Sequence, residues 1–576
     1  MRKASRFLAL GLVLMMLAAV FAGCQTDTST TTSTTTGGTT QGTTGEDSMW
    51  EFQDDTSPFE FTVWWPGVWG WAKGAVEQGW DDSDVYKYIT ELTGGKMIID
   101  MPAGTEEELA GTTIASGTYP DVMVFGSYRS TFLRQMIDAD LLYSWSELID
   151  EHAPKMWSLI PESQLVFHAE PDGTLWKYVG FEYHENWAAE SVAMGNVGAA
   201  GGAHGTNIMF ARNDILDAFG ETDITDLDKF TEYLKFVKEN YSDMDPLHLF
   251  AGDPRGNLFT HFKSTFGCHL SNTFPQEDGT IKHFMYDPAY VDYLKWLNML
   301  YRDGVISRGQ LTDDQSSIDT KFYSASYGAI MSATYVAYNT LEQTIKDNFG
   351  DDTDKVYTAI GPIQQEGIPW KAMYLRSKGS FGTVITKNAA DPDRVIKFYE
   401  FLLTDMGQMT INGGVQGIHW DYDAQGDIVH DEEKAALCQS DLEAYTSKYK
   451  LNGNWAPWCN TSYWEGLLGA ILTPLGRAVD ENEKRLGTNF VKDIWGEGFA
   501  DIPSSIEAGS DVDVINTQIN EACVTAGMQM IAAASDAEFD AIYTKIIQDI
   551  EALGVDKVEE VYTAEHQRQL TALGIG

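Results

Sequence analysis

The residues best equipped for chemistry in this chain are aromatic: it carries 17 Trp, 26 Tyr and 27 Phe. Their neighbours divide them. Trp157 and Trp296 fall inside helical patterns and read as core. Trp65, Trp69 and Trp71 crowd a stretch containing Gly and Pro, and Trp187 follows His184-Glu185-Asn186. Trp370 follows Pro369, Trp420 follows Gly417-Ile418-His419, and Trp455, Trp458 and Trp464 share one polar stretch. An indole in a polar loop can stack on a flat, C–H-rich face, and the face of a sugar ring suits it. The alternative is a loop ring folded over the nearest helix. Both stay open for each ring taken alone.

No motif marks a catalytic centre: GxSxG, HExxH, Walker A and GxGxxG are all missing from the sequence. A paired-carboxylate site of the glycosidase type would leave no spacing signature among 85 acidic residues. One pattern suggests a cation. Asp421, Asp423, Gln425, Gly426, Asp427 and Glu432 occupy positions 1, 3, 5, 6, 7 and 12 of an EF-hand calcium loop. Gln425 departs from that pattern, and Gly413-Gly414 precede it in place of an entering helix. The same residues read as a β-hairpin with an Asp-Ala-Gln-Gly tip. Calcium therefore stands as an alternative, and no cofactor is required.

Charge narrows the partners. Lys and Arg total 39 against 85 Asp and Glu, a net charge of −46 over 576 residues. Phosphate binding needs basic surface, so nucleic acid is excluded as a partner, and so is docking on an anionic membrane through the protein surface. A length of this kind accommodates two or more domains, or one large two-lobed body.

The first 23 residues read as an export signal. Arg2, Lys3 and Arg6 precede an apolar run from Phe7 to Val20, shorter than the ~20 residues that span a bilayer. Ala22-Gly23-Cys24 then resembles a bacterial lipobox, so Cys24 is the expected lipidation site. Residues 24–55 begin with a tract of Thr, Ser, Gly, Gln and Asp that cannot bury enough apolar surface to fold. That segment is the expected tether. Removing the signal takes away three positive charges and leaves about −49. Cys268, Cys438, Cys459 and Cys523 show no CxxC spacing, which argues against zinc; disulfides and buried thiols both remain open.

The positioning elements alternate along the body. Phe59, Phe61, Val63 and Trp65 alternate with Glu60, Thr62 and Trp64, the period of a strand. Pro120 to Phe125 reads as a short buried strand. Thr225 to Asp228 imitates a capping box before a helix with Leu227, Phe230, Leu234 and Val237 on one face. Tyr290, Leu294, Leu297 and Tyr301 repeat that period, ending at Gly304. Asp391-Pro392 opens a helix, and Ser535 to Glu538 is a full capping box for one closed by Gly554. Strands and helices alternating over this length mean an α/β fold.

The body resembles the family 1 extracellular solute-binding lipoproteins of bacterial ABC importers, the group that includes maltose-binding protein. It is most similar to the long form of Gram-positive bacteria, associated with oligosaccharide uptake. The matching stretches are Ile114 to Val122, Asp172 to Trp176, Ala211 to Leu216, Leu300 to Val305, Leu403 to Gly407, and Ser535 to Asp540 with Leu553 to Asp556. Each is short, and their order carries the resemblance. It implies a two-lobed α/β periplasmic-binding-protein-like fold of type II, with a multi-strand hinge and a cleft between lobes. The implied lobes are 56–182 with 363–412, and 183–362 with 413–576, with a third crossing near Gly413 to Gly417. The implied ligand contacts are Trp65, Trp69, Ser127, Tyr128, Arg255, Asn257, Tyr335, Tyr338, Arg376 and Trp464. Trp187, Trp370, Trp420, Trp455 and Trp458 join them as loop rings.

The resemblance implies a non-enzymatic binder, a lipid-anchored monomer on the outer face of the cytoplasmic membrane. It would capture an oligosaccharide and hand it to ABC permease subunits, touching the membrane through its anchor only. The acid excess favours a neutral sugar over an acidic one. Competing expectations are a surface-anchored carbohydrate-active enzyme, which needs a carboxylate pair in the cleft, and a receptor for peptides or another solute.

Overall fold

The computed structural model describes residues 55–65, 80–101, 106–126, 131–170, 172–180, 208–249, 262–268, 273–332, 341–368, 381–425, 428–440 and 509–572. Ala337, Gly379, Lys448, Tyr449, Trp455, Trp458 and Ile506 are described between them. In chain order the strands are β1 (Phe59–Trp64), β2 (Gly95–Asp100), β3 (Val122–Phe125), β4 (Leu142–Tyr143), β5 (Tyr178–Val179), β6 (Ile208–Arg212) and β7 (Asp245–Leu247). Then follow β8 (Thr273–Pro275), β9 (Ile281–His283), β10 (Tyr327–Ser332), β11 (Tyr357–Ile360), β12 (Gly382–Thr386), β13 (Trp420–Tyr422) and β14 (Ile428–His430). The helices that matter below are α1 (Glu162–His168), α2 (Leu227–Asn240), α3 (Pro288–Arg302) and α4 (Pro392–Leu403). After them come α5 (Asp405–Gly413), α6 (Asp511–Ile531), α7 (Asp536–Leu553) and α8 (Val555–Ala572).

Two sheets organise the body. The first runs β2-β1-β3-β12-β4, with β5 also paired to β12; the second runs β11-β6-β10-β7. Both are filled on two faces, as a sheet between helical layers must be. Phe61, Val63, Val122, Val124 and Ile385 face one core of the first sheet, and Trp64, Met123, Phe125 and Val384 face the other. In the second sheet Met209, Ala211, Ala329 and Met331 oppose Phe210, Ile330, Tyr357 and Ala359. The helices α6 to α8 pack into the second core through Ile519, Met530, Phe539, Ile546, Val558 and Tyr562.

Local signals set the helix boundaries, with two adjustments. The N-cap of α2 is Asp226, whose carboxylate accepts the Lys229 amide at 2.9 Å, rather than Thr225. Leu227, Phe230, Leu234 and Val237 of that helix are all buried. Ser535 caps α7 by accepting the Glu538 amide, but Glu538 reaches back to Ala534 N–H, one residue earlier than a standard box. Gly554 closes α7 at φ +97°, which glycine adopts without strain.

A larger difference concerns the third crossing. After α5 the chain turns back instead of leaving: Val415 N–H donates to His419 Nδ1, and Trp420 Nε1 donates to the Gly414 carbonyl. The turn needs glycine at 414, since a Cβ there would lie 2.5 Å from His419 Cγ. Val415, Trp455 and Trp458 all sit in the first core, whereas Ile506 packs against the second. Val415, Trp455 and Trp458, which the implied division gives to the second lobe, thus pack with the first core.

One buried charge locks the second sheet. Arg212, at the end of β6, donates from Nε and Nη2 to both Asp214 oxygens at 2.7 and 2.9 Å, and from Nη1 to the Ala325 carbonyl at 2.7 Å. Ala325 holds φ +53°, an uncommon conformation for a residue with a Cβ, and its carbonyl is pinned by that guanidinium. Replacing Arg212 with Met is expected to cost about 3–5 kcal/mol, because it strands a carboxylate and a carbonyl together. Urea unfolding of wild type and variant measures it; a loss under about 1 kcal/mol would refute the assignment.

Candidate functional site

The strand register brings a particular set of chain ends together. β1, β2 and β3 are parallel and finish at one edge, with Trp64 beside Asp100 and Met123. β12 enters at that same edge, Gly382 facing Phe125 on one side and Val179 on the other. In the second sheet Ser332, at the end of β10, faces Ile208, at the start of β6, and Ile360, at the end of β11, faces Met209. β7 is parallel to β10 and finishes beside Ala329. The chain connects these two edges twice, from Gly180 to Ile208 and from Ile360 to Gly382.

The two connections meet at their first-lobe ends. Gly180 N–H donates to the Phe381 carbonyl at 3.1 Å, and a Cβ on Gly379 would lie 2.4 Å from the Gly180 oxygen. Gly379 also carries φ +79°, so only glycine fits this crossing. Gln164 of α1, fully buried, donates to the Val179 carbonyl at 2.7 Å and accepts the Val179 amide at 3.2 Å. Neither Gln164 nor Gly379 has any local sequence signal, because each is defined by a backbone distant along the chain. Beside them Lys177 is pushed down to about 8 by burial, with Glu170 opposing the shift and Arg134 adding to it.

Most expected contact residues follow these strand ends in sequence and lie outside the described residues. After the first edge come Trp69, Ser127, Tyr128 and Trp187, with Trp370 and Arg376 ahead of β12; after the second come Arg255, Asn257, Tyr335 and Tyr338. Trp464 and Cys24 are outside as well.

The four that are described are buried. Trp65 is 1% exposed and meets Phe381 and Trp458 edge-on at centroid distances of 6.2 and 5.9 Å. Trp458 also touches Trp455 at 6.0 Å and Tyr399 at 6.1 Å, and Tyr399 continues to Trp145 and Tyr178. Trp420 is buried with its N–H bonded to Gly414. A ring enclosed on all sides by protein has no face left for a solute, so these four belong to packing. Local polarity misled because Trp65 is covered by Phe381 and Trp458 from far along the chain, while Trp420 folds back on Gly414 and Tyr422.

The calcium expectation has a geometric answer in part. β13 and β14 pair as Trp420 with His430, Asp421 with Val429 and Tyr422 with Ile428, the hairpin alternative. Asp421 Oδ1 already accepts the Gln416 amide nitrogen at 3.0 Å and the Tyr422 N–H, and Asp423 accepts the Gln425 N–H. Asp427 lies outside the described residues, Glu432 opens a helix, and among the described residues no three His, Cys, Asp or Glu gather as a metal site.

Two described carboxyls are held above their ordinary range by burial, Glu400 and Asp405. They lie on the helices α4 and α5 that pack on the first core, and Glu400 is pulled back by Lys155 and Lys397. An open groove of about 530 Å³ lies at the start of α2, lined by Thr225, Asp226 and residues 364–368. Its backbone is already paired, with Gln364 N–H on the Thr225 carbonyl and Leu227 N–H on the Gln364 carbonyl. Among the described residues no helix is long and apolar enough to cross a membrane.

Comparison with known proteins agrees with this architecture. Among solved structures, the chain is similar to the Streptococcus pneumoniae ABC-transporter substrate-binding protein FusA, in complex with kestose, at 14% identity and a TM-score of 0.61, covering 89% of this chain and 99% of that one. It is similar to an extracellular solute-binding protein from Bifidobacterium longum subsp. infantis at 14% identity and a TM-score of 0.58, covering 90% and 99%. A third likeness is to the alginate-binding protein AlgQ2 without calcium ion, at 15% identity and a TM-score of 0.56, covering 89% and 98%. No curated protein matches the sequence closely enough to count as a relative. These likenesses establish the fold, two α/β lobes of the type II periplasmic-binding-protein kind. The model of one family, described as bacterial extracellular solute-binding protein, matches residues 85–417, more than half the chain, and this protein belongs to that family.

Proposed function

We propose that this chain is the lipid-anchored solute receptor of an ABC importer, capturing an oligosaccharide between its lobes and delivering it to a membrane permease. The observation that carries the proposal is the meeting of strand ends: the expected contact residues follow, in sequence, the strand edges that the crossing segments join. Of the likenesses above, FusA was solved with kestose and AlgQ2 is named for alginate, and a further one is an HMO-binding ABC-transporter-associated solute-binding protein from Bifidobacterium longum infantis. Tyr335, three residues after Ser332 of β10, is the leading stacking ring, with Tyr338, Trp69, Trp187, Trp370 and Trp464 beside it. Ser127, Tyr128, Arg255, Asn257 and Arg376 supply hydrogen bonds to hydroxyls. The net charge of −46 favours a neutral glycan, export places the body outside the cell on a lipidated Cys24, and the receptor acts as a monomer without catalysis.

A thermal-shift screen of neutral, acidic and host-type glycans against peptides tests the proposal. A ligand at 100 times its Kd adds about 2.7 kcal/mol to the stability, which a melting curve resolves. Tyr335→Ala is expected to weaken the glycan found by about 10-fold or more while the ligand-free melting temperature stays unchanged, as for loss of a stacked ring. Unchanged affinity rejects Tyr335, stabilisation by peptides alone overturns the glycan reading, and turnover of the bound glycan overturns the receptor reading.

A further inference from the structure

The C-terminal helix α8 changes character along its buried stripe. Val555, Val558 and Tyr562 are apolar and belong to the second core, but the stripe continues with His566 and Gln569, polar and equally buried. This polar end packs against α1, which belongs to the first sheet through Gln164. Arg568 bonds the two helices. Its Nε and Nη2 are held by Glu565 at 2.7 and 2.8 Å, and its Nη1 donates to the Val166 carbonyl in the last turn of α1 at 2.8 Å. Gln569 Nε2 donates to the same Glu565 carboxylate at 2.6 Å, fixing it from a second side.

We propose that Arg568 is the positioning residue of a separable strut between the lobes, which restrains the crossing segments through α1 and Gln164. The path alternates hydrogen bonds with one or two residues of backbone. Arg568 holds Val166, Gln164 two residues earlier grips Val179 by both its N–H and its carbonyl, and the next residue, Gly180, donates to Phe381 of the other crossing. The polarity of the contact is the reason to call it separable. A permanent junction would continue the apolar stripe of Val555 to Tyr562, whereas polar groups regain water when an interface opens and so cost little to part. A second anchor keeps the rest of α8 in place during such parting: Glu559 accepts Lys282 Nζ at 2.7 Å and the His283 amide at 3.0 Å, fixing the helix to β9. The strut requires the two lobes but no particular solute, so it goes beyond the receptor proposal and survives a glycan screen that finds nothing.

Amide hydrogen exchange on the ligand-free full chain tests the strut, with wild type, Arg568→Ala and Arg568→Lys compared. In Arg568→Ala, peptides covering residues 178–180 and 381–382 are expected to exchange about 10-fold faster, the scale of one lost bond from a charged donor. The peptide covering residues 281–283 is expected to keep its wild-type rate, since Glu559 still holds it. Lys can still donate to the Val166 carbonyl, so Arg568→Lys is expected to restore the crossing peptides. Crossing peptides at the wild-type rate in Arg568→Ala overturn the proposal. Equal acceleration at residues 281–283 also overturns it, because the residue would then stabilise α8 as a whole and transmit nothing selectively.

Discussion

Trp458→Ala is expected to lower the unfolding free energy by about 3–5 kcal/mol, the range for removing a large ring from a close-packed core. Trp458 is 1% exposed, wedged among Trp65, Trp455 and Tyr399, and its carbonyl accepts Gln408 Nε2 at 2.9 Å. The surrounding rings are held by β1 and α4 and cannot collapse into the space, so transfer and cavity costs add. The consequence for function is sharp: a variant at Trp458 that loses solute binding has lost fold first. Urea unfolding with tryptophan fluorescence and circular dichroism reads the loss. A stable Trp458→Ala protein with weakened binding would return this ring to the ligand surface and overturn its assignment to the core.

Acid is the second large effect. Burial pushes His248 down to about 4 and His283 down to about 3. Met331 backbone and Asp319 work against the shift at His248 without reversing it. Both rings are neutral in the folded protein at pH values where the unfolded chain, with an ordinary pKa near 6.5, has already bound protons. The unfolded state then holds more protons, so stability falls as pH drops below about 6.5 and stops falling near 4 for His248 and near 3 for His283. Each ring contributes about 1.4 kcal/mol per pH unit inside its window, and the two together about 4 kcal/mol between pH 6.5 and 5. Glu400 and Asp405, raised by burial, act with the opposite sign at lower pH and flatten the curve there. His283 accepts the Met285 N–H through Nδ1, a bond that Asn can imitate. His283→Asn is therefore expected to reduce the slope of unfolding free energy against pH by about 1.4 kcal/mol per unit between about pH 5 and 6.5. An unchanged slope would remove His283 from the account.

Much of the fold is legible in the sequence alone. The alternation from Phe59 to Val63 predicts β1, and the stripe from Leu227 to Val237 predicts a buried face that α2 has. Ser535 and Gly554 mark both ends of α7. These succeed because a strand or helix repeats its environment every two or 3.6 residues, and caps act within one turn. Asp226 in place of Thr225 is the size of error such signals allow.

The candidate site was legible in a different and weaker sense. Polar neighbours selected Trp65, Trp420, Trp455 and Trp458 as surface rings, and all four are buried. Arg212 stood in a stretch chosen for family likeness, yet its bond to the Ala325 carbonyl joins residues 113 positions apart. Gln164, Gly379 and Arg568 carried no signal, because each matters through a backbone group elsewhere in the chain.

By itself, then, the sequence determined the α/β class, the excess of acidic residues and the ordered motifs of a solute-binding body, and it raised the expectation of an export signal and tether at the start. Each of those is additive along the chain or repeats over a few residues. Only the tertiary structure decided which indoles are enclosed, which core Val415, Trp455 and Trp458 join, and which strand ends converge with their crossings. Convergence, and the burial of rings such as Trp65, depend on surfaces brought together across hundreds of residues, and a local window does not contain both partners.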